Sequence, residues 1–339
     1  MLTGIHEALL IRNPTAGPSR RFGLQGRGRE LEEARRILAE AGIRTELAET
    51  AGAGDATRLA RQAAKDGREL VIACGGDGTI NEVVNGLAGS AVPLAILPAG
   101  TANVFAKELA LPGSLPAAAR LIPSSRLERI ALGLALPGAG ASRPEVSGFG
   151  TAPEAPEEGA GRYFLSIAGA GVDGSMVYRV NSRLKRATGT LAYWFQGLTH
   201  FFHYDLATFA VEAGEQSFQA AQVIVGRTKS YGGPFQLTPG ADLFSNRFEV
   251  AVFTTRNRFR YPSHMMAVWL SRLEEQGDVH LVKTESVRCA AEPDSRIYFE
   301  IDGEAAGTLP VEFRIVPGAL TLVVPENVTR EAGSSVHPS

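Results

Sequence analysis

Residues 69–87, ELVIACGGDGTINEVVNGL, contain the pattern from which the fold can be predicted. The apolar run 69–74 is typical of a buried strand. A glycine loop, Gly75 to Thr79, follows it directly, and apolar residues then recur at helical spacing from Ile80 to Leu87. A buried strand, a glycine loop and an amphipathic helix in this order predict a βα unit of a parallel sheet.

The same unit recurs on both sides of this stretch. Further strands are predicted over 8–11, 43–48 and 92–97. One helix is predicted before a stop at Gly42, and another from Asp55, taken as its N-cap, to Gly67. The pattern predicts a doubly wound parallel α/β nucleotide-binding domain over residues 1–130.

Beyond residue 130 the pattern changes to short alternating strands, predicted over 162–168, 217–225, 247–253 and 297–301, with helices near 174–186, 190–203 and 262–275. We expect a mostly antiparallel β-sandwich domain over 131–310. The fold class is therefore α/β plus β. Whether a strand near 311–325 returns to the first domain is left open. The Gly/Pro-rich stretch 137–161 is expected to be a disordered insertion, and 326–339 a flexible tail.

Composition narrows the class of protein. The 339 residues include 34 basic and 36 acidic side chains, a formal charge of -2, so no nucleic-acid partner is expected. The two cysteines, Cys74 and Cys289, form neither a disulfide framework nor a metal cluster, which favours a reducing cytoplasm. Neither a signal peptide nor a membrane-spanning stretch is apparent. Contact with a membrane would therefore be peripheral, at its inner face.

Small residues follow each of the predicted parallel strands. These segments are NPTAG at 13–17, Thr50 with AGAG at 51–54, GGDGT at 75–79 and PAGTAN at 98–103. Ligands bind beyond the carboxyl ends of parallel strands, where helix N-termini carry about half a positive charge. The four loops predict a phosphate site built from backbone amides. For any single loop, a simple βα turn is the alternative.

Asp77 lies inside the glycine loop. An acidic side chain there would repel phosphate unless a cation lies between them, so the loop indicates a Mg²⁺-bound nucleotide. A capping role for Asp77 or Thr79 is the alternative.

The motifs NPTAG, GGDGTINEVVNGL and LPAGTANVFAKEL, followed by YFLSIAGAGVDG, NSRLKRATGTLAYW and YFEIDGE, resemble the diacylglycerol kinase and sphingosine kinase superfamily of lipid kinases. The resemblance implies ATP as co-substrate and Mg²⁺ as cofactor, with Asp77 holding the catalytic ion and Glu304 acting as general base. Without it, Asp302-Gly303 would be only a hairpin turn. The ATP-binding residues would be Asn13, Pro14, Gly17, Thr50, Gly75, Gly76, Asp77, Gly78, Thr79, Asn81, Thr101 and Asn103.

The sequence departs from this family at a second, structural Mg²⁺ site. Asp242 remains available as a ligand, but Ser245 and Asn246 stand where Asp and Gly are expected. Ala131 likewise replaces a frequent Asp, and Ser166 a frequent Asn. The second metal site at Asp242 is therefore in doubt.

Four other signals receive less weight. Gly169, Gly171 and Gly174 match a dinucleotide motif without its βαβ context. His200 and His203 have no third ligand in view. The aromatic run 193–204 is interpreted as core, with a lipid cleft wall as the alternative. The arginines of 256–260 would share one face of a strand, solvated or in contact with anionic headgroups.

These observations predict an ATP-dependent lipid kinase that phosphorylates a hydroxyl of a lipid such as diacylglycerol at the membrane surface. The alternatives are a kinase for a soluble substrate, similar to NAD kinases, and a nucleotide- or lipid-binding module without catalysis. NAD kinases share GGDGT, but their downstream PTGST-type motif is not found here. An exposed strand edge in the second domain leaves a homodimer open.

Overall fold

The computed structural model describes residues 2, 4–17, 24–142, 161–172, 174, 207–230, 236–292 and 295–329. Its strands form a ten-stranded sheet and a six-stranded sheet. The predicted helices near 174–186 and 190–203, His200, His203, the aromatic run 193–204 and most of the 137–161 insertion lie outside the described residues. No helix within these ranges is long and apolar enough to cross a membrane.

One half of the large sheet is parallel, in the order β2-β1-β3-β4. Its strands are β1 Glu7–Arg12, β2 Arg44–Glu49, β3 Val71–Gly75 and β4 Leu94–Pro98. The helices are α1 Leu24–Glu40, α2 Asp55–Lys65, α3 Asp77–Leu87, α4 Val104–Glu108 and α5 Leu115–Leu121. Apolar residues of α2 and α3 pack in one core cluster and those of α1 and α5 in another. The predicted doubly wound α/β arrangement is confirmed.

The long strand β16, Val311–Val324, joins this parallel half to the rest of the chain. It lies parallel to β4 at Leu322 and antiparallel to β5, Arg126–Pro137, over most of its length. Its first part also pairs with β13, Ser286–Ala290. The sheet continues through β8 Phe209–Ala213 and β9 Gln216–Ala220, while β6 Arg162–Phe164 pairs with β5. One continuous sheet therefore runs through both halves of the protein.

The six-stranded sheet has the order β12-β11-β10-β7-β14-β15, and all its neighbouring strands are antiparallel. The strands are β7 Ile167–Gly171, β10 Gln222–Gly226, β11 Phe248–Phe253, β12 Val279–Thr284, β14 Tyr298–Ile301 and β15 Glu304–Thr308. A core containing Phe164, Phe248, Phe299 and Phe313 lies between the two sheets. Rings of Phe164 and Phe248 stack at 5.7 Å. This is the predicted antiparallel sandwich.

Two stretches that were each predicted as one strand are in fact divided into two strands. Residues 162–168 form β6 and β7, and residues 217–225 form β9 and β10, so that each run contributes to both sheets. The chain crosses from one sheet to the other at Leu165-Ser166 and at Ala221, and these residues are buried. Because the crossing residues are buried like the strands that they join and include neither glycine nor proline, the sequence does not mark where one strand ends and the next begins.

Other local predictions also need correction. Asp55 is the first residue of α2 rather than its N-cap, which is Gly54 at φ 85°. Arg258–Arg260 form a 3₁₀ turn rather than a strand, and the helix predicted over 262–275 is α6, Tyr261–Trp269, followed by a separate 3₁₀ turn. The stretch 137–161 was predicted to be a disordered insertion, but its first residues, up to Ser142, have a defined structure. Ser142 N donates a hydrogen bond to Thr308 Oγ1 at 2.9 Å.

Candidate active site

The loops after β3 and β4 meet backbone to backbone at the carboxyl edge of the parallel strands. A Cβ atom added to Gly100 would lie 2.5 Å from the Cα of Gly76. Ala99 N donates to Gly75 O at 2.8 Å, which continues the strand pairing into the loops. The GGDGT and PAGTAN segments thus pack against each other at Gly76 and Gly100, where the contact between backbones leaves no room for a side chain.

Gly100→Ala is expected to separate these two loops. The new methyl group would meet backbone rather than a flexible side chain, so we expect the free energy of unfolding to fall by about 1–3 kcal/mol and nucleotide affinity to decrease. Gly113→Ala is the matched control, because a Cβ there meets nothing within 4 Å. Chemical denaturation and nucleotide titration measure both effects. Equal behaviour of the two variants would contradict the close packing.

Asn13 connects the NPTAG segment to the GGDGT loop. Its Nδ2 donates to Thr79 Oγ1 at 3.1 Å, and its Oδ1 accepts from Thr15 N at 3.0 Å. Gly75 lies so close to Thr79 that an added Cβ would be 2.5 Å from the Thr79 Cβ. Pro14 lies in the same segment. The structure therefore brings together three of the four predicted loops: 13–17, 75–79 and 98–103.

Arg27 adds a cation to this loop cluster, and sequence reasoning missed it. Its guanidinium donates to Ala99 O after β4 and lies against Gly17, whose φ is 117°. The residue lies near the start of α1, among other arginines and glycines, where nothing distinguishes it from a solvated side chain. The predicted phosphate site would therefore include a cationic side chain as well as backbone amides.

The loop after β2 contradicts the expectation of free amides. Thr50 is buried at the end of the strand, where its N donates to Arg12 O at 2.9 Å. Asp55 Oδ2 accepts from Ala51 N at 2.8 Å and from Gly52 N at 3.1 Å. These backbone hydrogen bonds, led by that of Ala51, lower the pKa of Asp55. An acidic side chain of the protein thus occupies two of the amides predicted to face phosphate.

Asp77 caps a neighbouring helix. It is the first residue of α3, and its Oδ1 accepts from Phe105 N, near the start of α4, at 3.4 Å. Burial raises its pKa, while amides of the α4 N-terminus act in the opposite direction. Asp77 thus does act as a capping residue, but for α4, which follows the loop after β4, and not for its own helix α3. Mg²⁺ at phosphate sites typically takes one or two carboxylates plus phosphate oxygens, so a single carboxylate fits that role.

Asn103 closes the loop after β4. It has a left-handed φ of 48°, and its side chain bonds to both the N and the O of Gly100, at 2.9 and 3.0 Å. Thr101, inside this closed loop, is exposed. Asn103 therefore shapes the loop, and Thr101 is the side chain presented to solvent.

Asp302 fixes the hairpin between β14 and β15 against the first domain. It is half-buried, and its carboxylate accepts from the backbone amides of Leu165, Ser166 and Ile167 at 2.9–3.1 Å. Asn81 Nδ2, on α3, donates to the same carboxylate at 2.7 Å. Burial raises the pKa of Asp302, and the amide hydrogen bonds oppose the rise. Both Asp302 and Gly303 have positive φ, so the pair does form the tight turn.

Glu304 follows this turn and lies over the GGDGT loop. A Cβ added to Gly78 would be 2.7 Å from Glu304 Oε1. Arg162 Nη2 lies 2.5 Å from Glu304 Oε2 and 2.8 Å from Asn81 Oδ1. The Glu304 side chain is 49% exposed, so solvent and substrate can reach its carboxylate. The predicted base and the predicted phosphate loop are thus adjacent, although they come from opposite ends of the chain.

Sequence reasoning missed three further residues around Glu304. Arg162 begins a strand, where a lone basic residue is usually solvated. Asn85 holds β6 against α3, with Tyr163 N donating to its Oδ1 at 2.9 Å. Glu82 accepts from Ala56 N at 3.2 Å, and burial first and the charge of Glu304 next raise its pKa. The polar face of α3 was the available signal, but its partner could not be inferred.

The residues around Asp242 do not suit a second divalent cation. Asp242 Oδ1 accepts from Phe244 N at 2.9 Å. The fully buried guanidinium of Arg227 donates to Ala131 O at 2.9 Å and to Leu243 O and Ser245 O, each at 2.6 Å. Burial lowers the pKa of Arg227 to about 10. A protein cation already binds the carbonyl oxygens here, at the positions where Ala131 and Ser245 depart from the family pattern.

Arg227→Met is expected to lower the free energy of unfolding by about 3 kcal/mol, because it leaves buried carbonyl oxygens without donors. Arg247→Met, at an exposed arginine, should change it little. Excess EDTA should leave the melting temperature of the nucleotide-free wild-type protein unchanged. A large drop in that temperature on chelation, restored by Mg²⁺, would show that a structural ion is bound after all.

Comparison with known proteins agrees with this arrangement. Residues 7–135 match the family model described as the diacylglycerol kinase catalytic domain. Residues 166–324 match the YegS C-terminal NAD kinase beta sandwich-like domain. A diacylglycerol kinase of Bacillus subtilis (strain 168) is 31% identical over 94% of this chain and 96% of its own length.

A second relative and a solved structure give the same result. A diacylglycerol kinase of Staphylococcus haemolyticus (strain JCSC1435) is 28% identical over 96% of this chain and 90% of its own length. The structure of a diacylglycerol kinase from Bacillus anthracis (strain Sterne) superposes with a TM-score of 0.72 at 24% identity, covering 96% of this chain and 100% of that one, which shows the common fold. The chain therefore belongs to the diacylglycerol kinase and YegS-like family of lipid kinases.

Proposed function

We propose that this protein transfers the γ-phosphoryl group of ATP to a hydroxyl group of a membrane lipid such as diacylglycerol. The observation that carries the proposal is the position of Glu304 against Gly78, which would put a general base next to a phosphate-binding loop. Such proximity is what a phosphoryl transfer requires, because its catalysis is mostly positioning and neutralisation of charge.

The nucleotide phosphates would lie over the merged loops that contain Gly76 and Gly100. The N-terminus of α3 favours negative charge there. Arg27 would contribute a cation, and Asn13 and Thr79 would hold the loop in shape. Asp77 would hold Mg²⁺, which would supply positive charge to neutralise the nucleotide phosphates.

Glu304 would accept the proton of the lipid hydroxyl at its carboxylate. The hydroxyl oxygen then forms a bond to the γ-phosphorus, the bond between that phosphorus and the β–γ bridging oxygen breaks, and its electron pair leaves with ADP. Arg162 orients the Glu304 carboxylate through its ion pair, and Asp302 holds the turn in place by accepting from the amide of Ser166. The ordered hairpin holds Glu304 in position, and Glu304 alone would take the proton of the lipid hydroxyl.

The acceptor is a component of the bilayer, so we place the protein in the cytoplasm, in peripheral contact with the inner face of the membrane. Names of relatives favour diacylglycerol as acceptor, since each of the curated matches above is called a diacylglycerol kinase. The NAD kinase-like description of the second domain keeps a soluble acceptor as the alternative to be tested.

The test is a transfer assay with ATP labelled at the γ-phosphate, mixed lipid vesicles and, in a parallel reaction, NAD. Label extracted into the organic phase and identified as phosphatidic acid supports the proposal. Label on another lipid corrects the acceptor, and label on NAD overturns the lipid assignment. A protein that binds nucleotide but transfers label to neither acceptor would be a binding module.

A further inference from the structure

An apolar surface is concentrated on one short segment of the second domain. Of the six large hydrophobic side chains exposed in the described residues, five lie between 259 and 270. Phe259 is 78% exposed and Trp269 70%. The five residues, which we call the apolar face, are Phe259, Met265, Met266, Trp269 and Leu270.

Helical spacing gathers these side chains on one side. Phe259, Met266 and Trp269 recur at intervals of seven and three residues across the 3₁₀ turn and α6. The opposite side of α6 is buried, with Val268 packed in a cluster that includes Ile224 and Ala251 of the six-stranded sheet. The helix is therefore fixed by its inner side while its outer side presents apolar side chains to solvent.

The segment is held firmly in place. Asp278 accepts from Arg260 Nε at 3.1 Å and Nη2 at 3.0 Å, and its Oδ1 lies 2.9 Å from His264 Nε2. The ring of Tyr261 stacks on Phe253 at 6.4 Å. Because Asp278 and Phe253 both hold this segment against the sheet, the apolar face is a defined surface of the fold.

Basic residues accompany the apolar face. Residues 256–272, RNRFRYPSHMMAVWLSR, contain four arginines and no acidic side chain. Arg260 is neutralised by Asp278, and Arg272 lies 3.7 Å from Glu275. Arg256 is exposed and lies three residues before Phe259. Exposed aromatic residues with adjacent arginines are typical of segments that lie in the bilayer interface.

We propose that the apolar face is the surface by which this protein docks on a bilayer containing anionic lipids. Phe259, Met266 and Trp269 insert between headgroups, and Arg256 contacts their negative charges. The proposal rests on the proposed function, because a lipid acceptor obliges the enzyme to approach a bilayer. Charge complementarity favours an anionic lipid surface over a second copy of this chain, whose own face carries the same arginines.

The apolar face is separate from the catalytic loops. α6 follows the end of β11 at Phe253, which pairs with Gln222 and Val279. The Asp302 turn lies at the other end of the same sheet, since Ile301 pairs with Ala168, Ala168 with Val225 and Val225 with Val250. Substitutions on the face should therefore leave turnover of a water-soluble, short-chain acceptor unchanged.

The test is co-sedimentation with vesicles of phosphatidylcholine, with and without phosphatidylglycerol, in the absence of nucleotide. We expect the wild-type protein to prefer the anionic vesicles. Trp269→Ser combined with Phe259→Ser should weaken this binding at least about tenfold, and Arg256→Glu about fivefold, with the difference vanishing at high salt. Leu127→Ser is the control, because Leu127 is a large exposed hydrophobic residue that lies outside the face.

Three results would overturn the proposal: equal binding to both vesicle types, wild-type binding by the serine variant, or a wild-type dimer that the serine variant converts to monomer without a change in vesicle binding. An unchanged melting temperature shows that the variants are folded, whether or not the protein phosphorylates a lipid. Vesicle binding is measured without ATP, so failure of lipid phosphorylation would count against the proposed function alone, and failure to dock against this surface alone.

Discussion

Glu304→Gln is expected to lower the turnover number for lipid phosphorylation by about 10²- to 10⁴-fold, the usual contribution of a general base. The substitution preserves the size of the side chain and its capacity to accept from Arg162, but an amide cannot take up the proton of the hydroxyl. Because the side chain is half exposed and Arg162 keeps Asn81 Oδ1 as a second acceptor, the fold should be retained although the ion pair with Arg162 is lost. Nucleotide affinity should change little.

The measurement is the initial rate with labelled ATP and lipid vesicles at saturating concentrations of both, together with the melting temperature. Glu215→Gln is the control, since Glu215 is an exposed carboxylate in the turn between β8 and β9. Near-normal turnover by the Glu304 variant would remove Glu304 from the mechanism, and with it the observation on which the proposed function depends.

Asp77→Asn is expected to reduce turnover by about 10²- to 10³-fold, a loss typical of removing one group that stabilises transition-state charge. Asp77 has one observed contact and one proposed task, because its carboxylate accepts from the start of α4 and, under the proposed function, would also hold Mg²⁺. Asn retains an oxygen that can accept the backbone hydrogen bond, and it is among the favoured capping residues. The charge is lost while the cap remains.

Comparison with Asp77→Ala separates the two tasks. Alanine removes the cap as well, so its free energy of unfolding should fall by about 1 kcal/mol more than that of the Asn variant. Turnover should be low in both, and excess Mg²⁺ should not restore it. If Asp77→Asn retained normal turnover and only Asp77→Ala were impaired, Asp77 would be a capping residue alone.

The parallel half of the fold was predictable because its signals are local. Each buried strand, the small residues after it and the apolar spacing of the next helix lie within some twenty residues of one another, and β3 with α3 is the clearest case. The convergence of the loops follows from the geometry of parallel strands. What could not be predicted is that Asp55 occupies the amides of its own loop, since its capping and anion-mimicking roles look the same in sequence.

The sandwich half was predictable in type but not in connectivity. Alternating strands indicate an antiparallel sheet, yet the crossings at Leu165-Ser166 and Ala221 carry no glycine or proline and are buried like the strands they join. Arg162 and Arg227 look alike in sequence, each a single arginine beside an apolar run. One orients Glu304, and the other binds carbonyl oxygens in the interior.

Local patterns are enough to predict the βα units, the glycine loops and, through family motifs, the residues expected to act on phosphate and hydroxyl. That Glu304 meets Gly78 follows only from the folded chain, because the contact requires β16 to join both halves and Asp302 to accept from the amides of residues 165–167. The tertiary structure also decided that the apolar face of 259–270 is solvent-exposed rather than core. The periodicity of apolar residues indicates which side chains share one face of a helix or strand. Which part of the protein packs against that face, or whether it is exposed to solvent, depends on the pairing of strands that are distant in sequence.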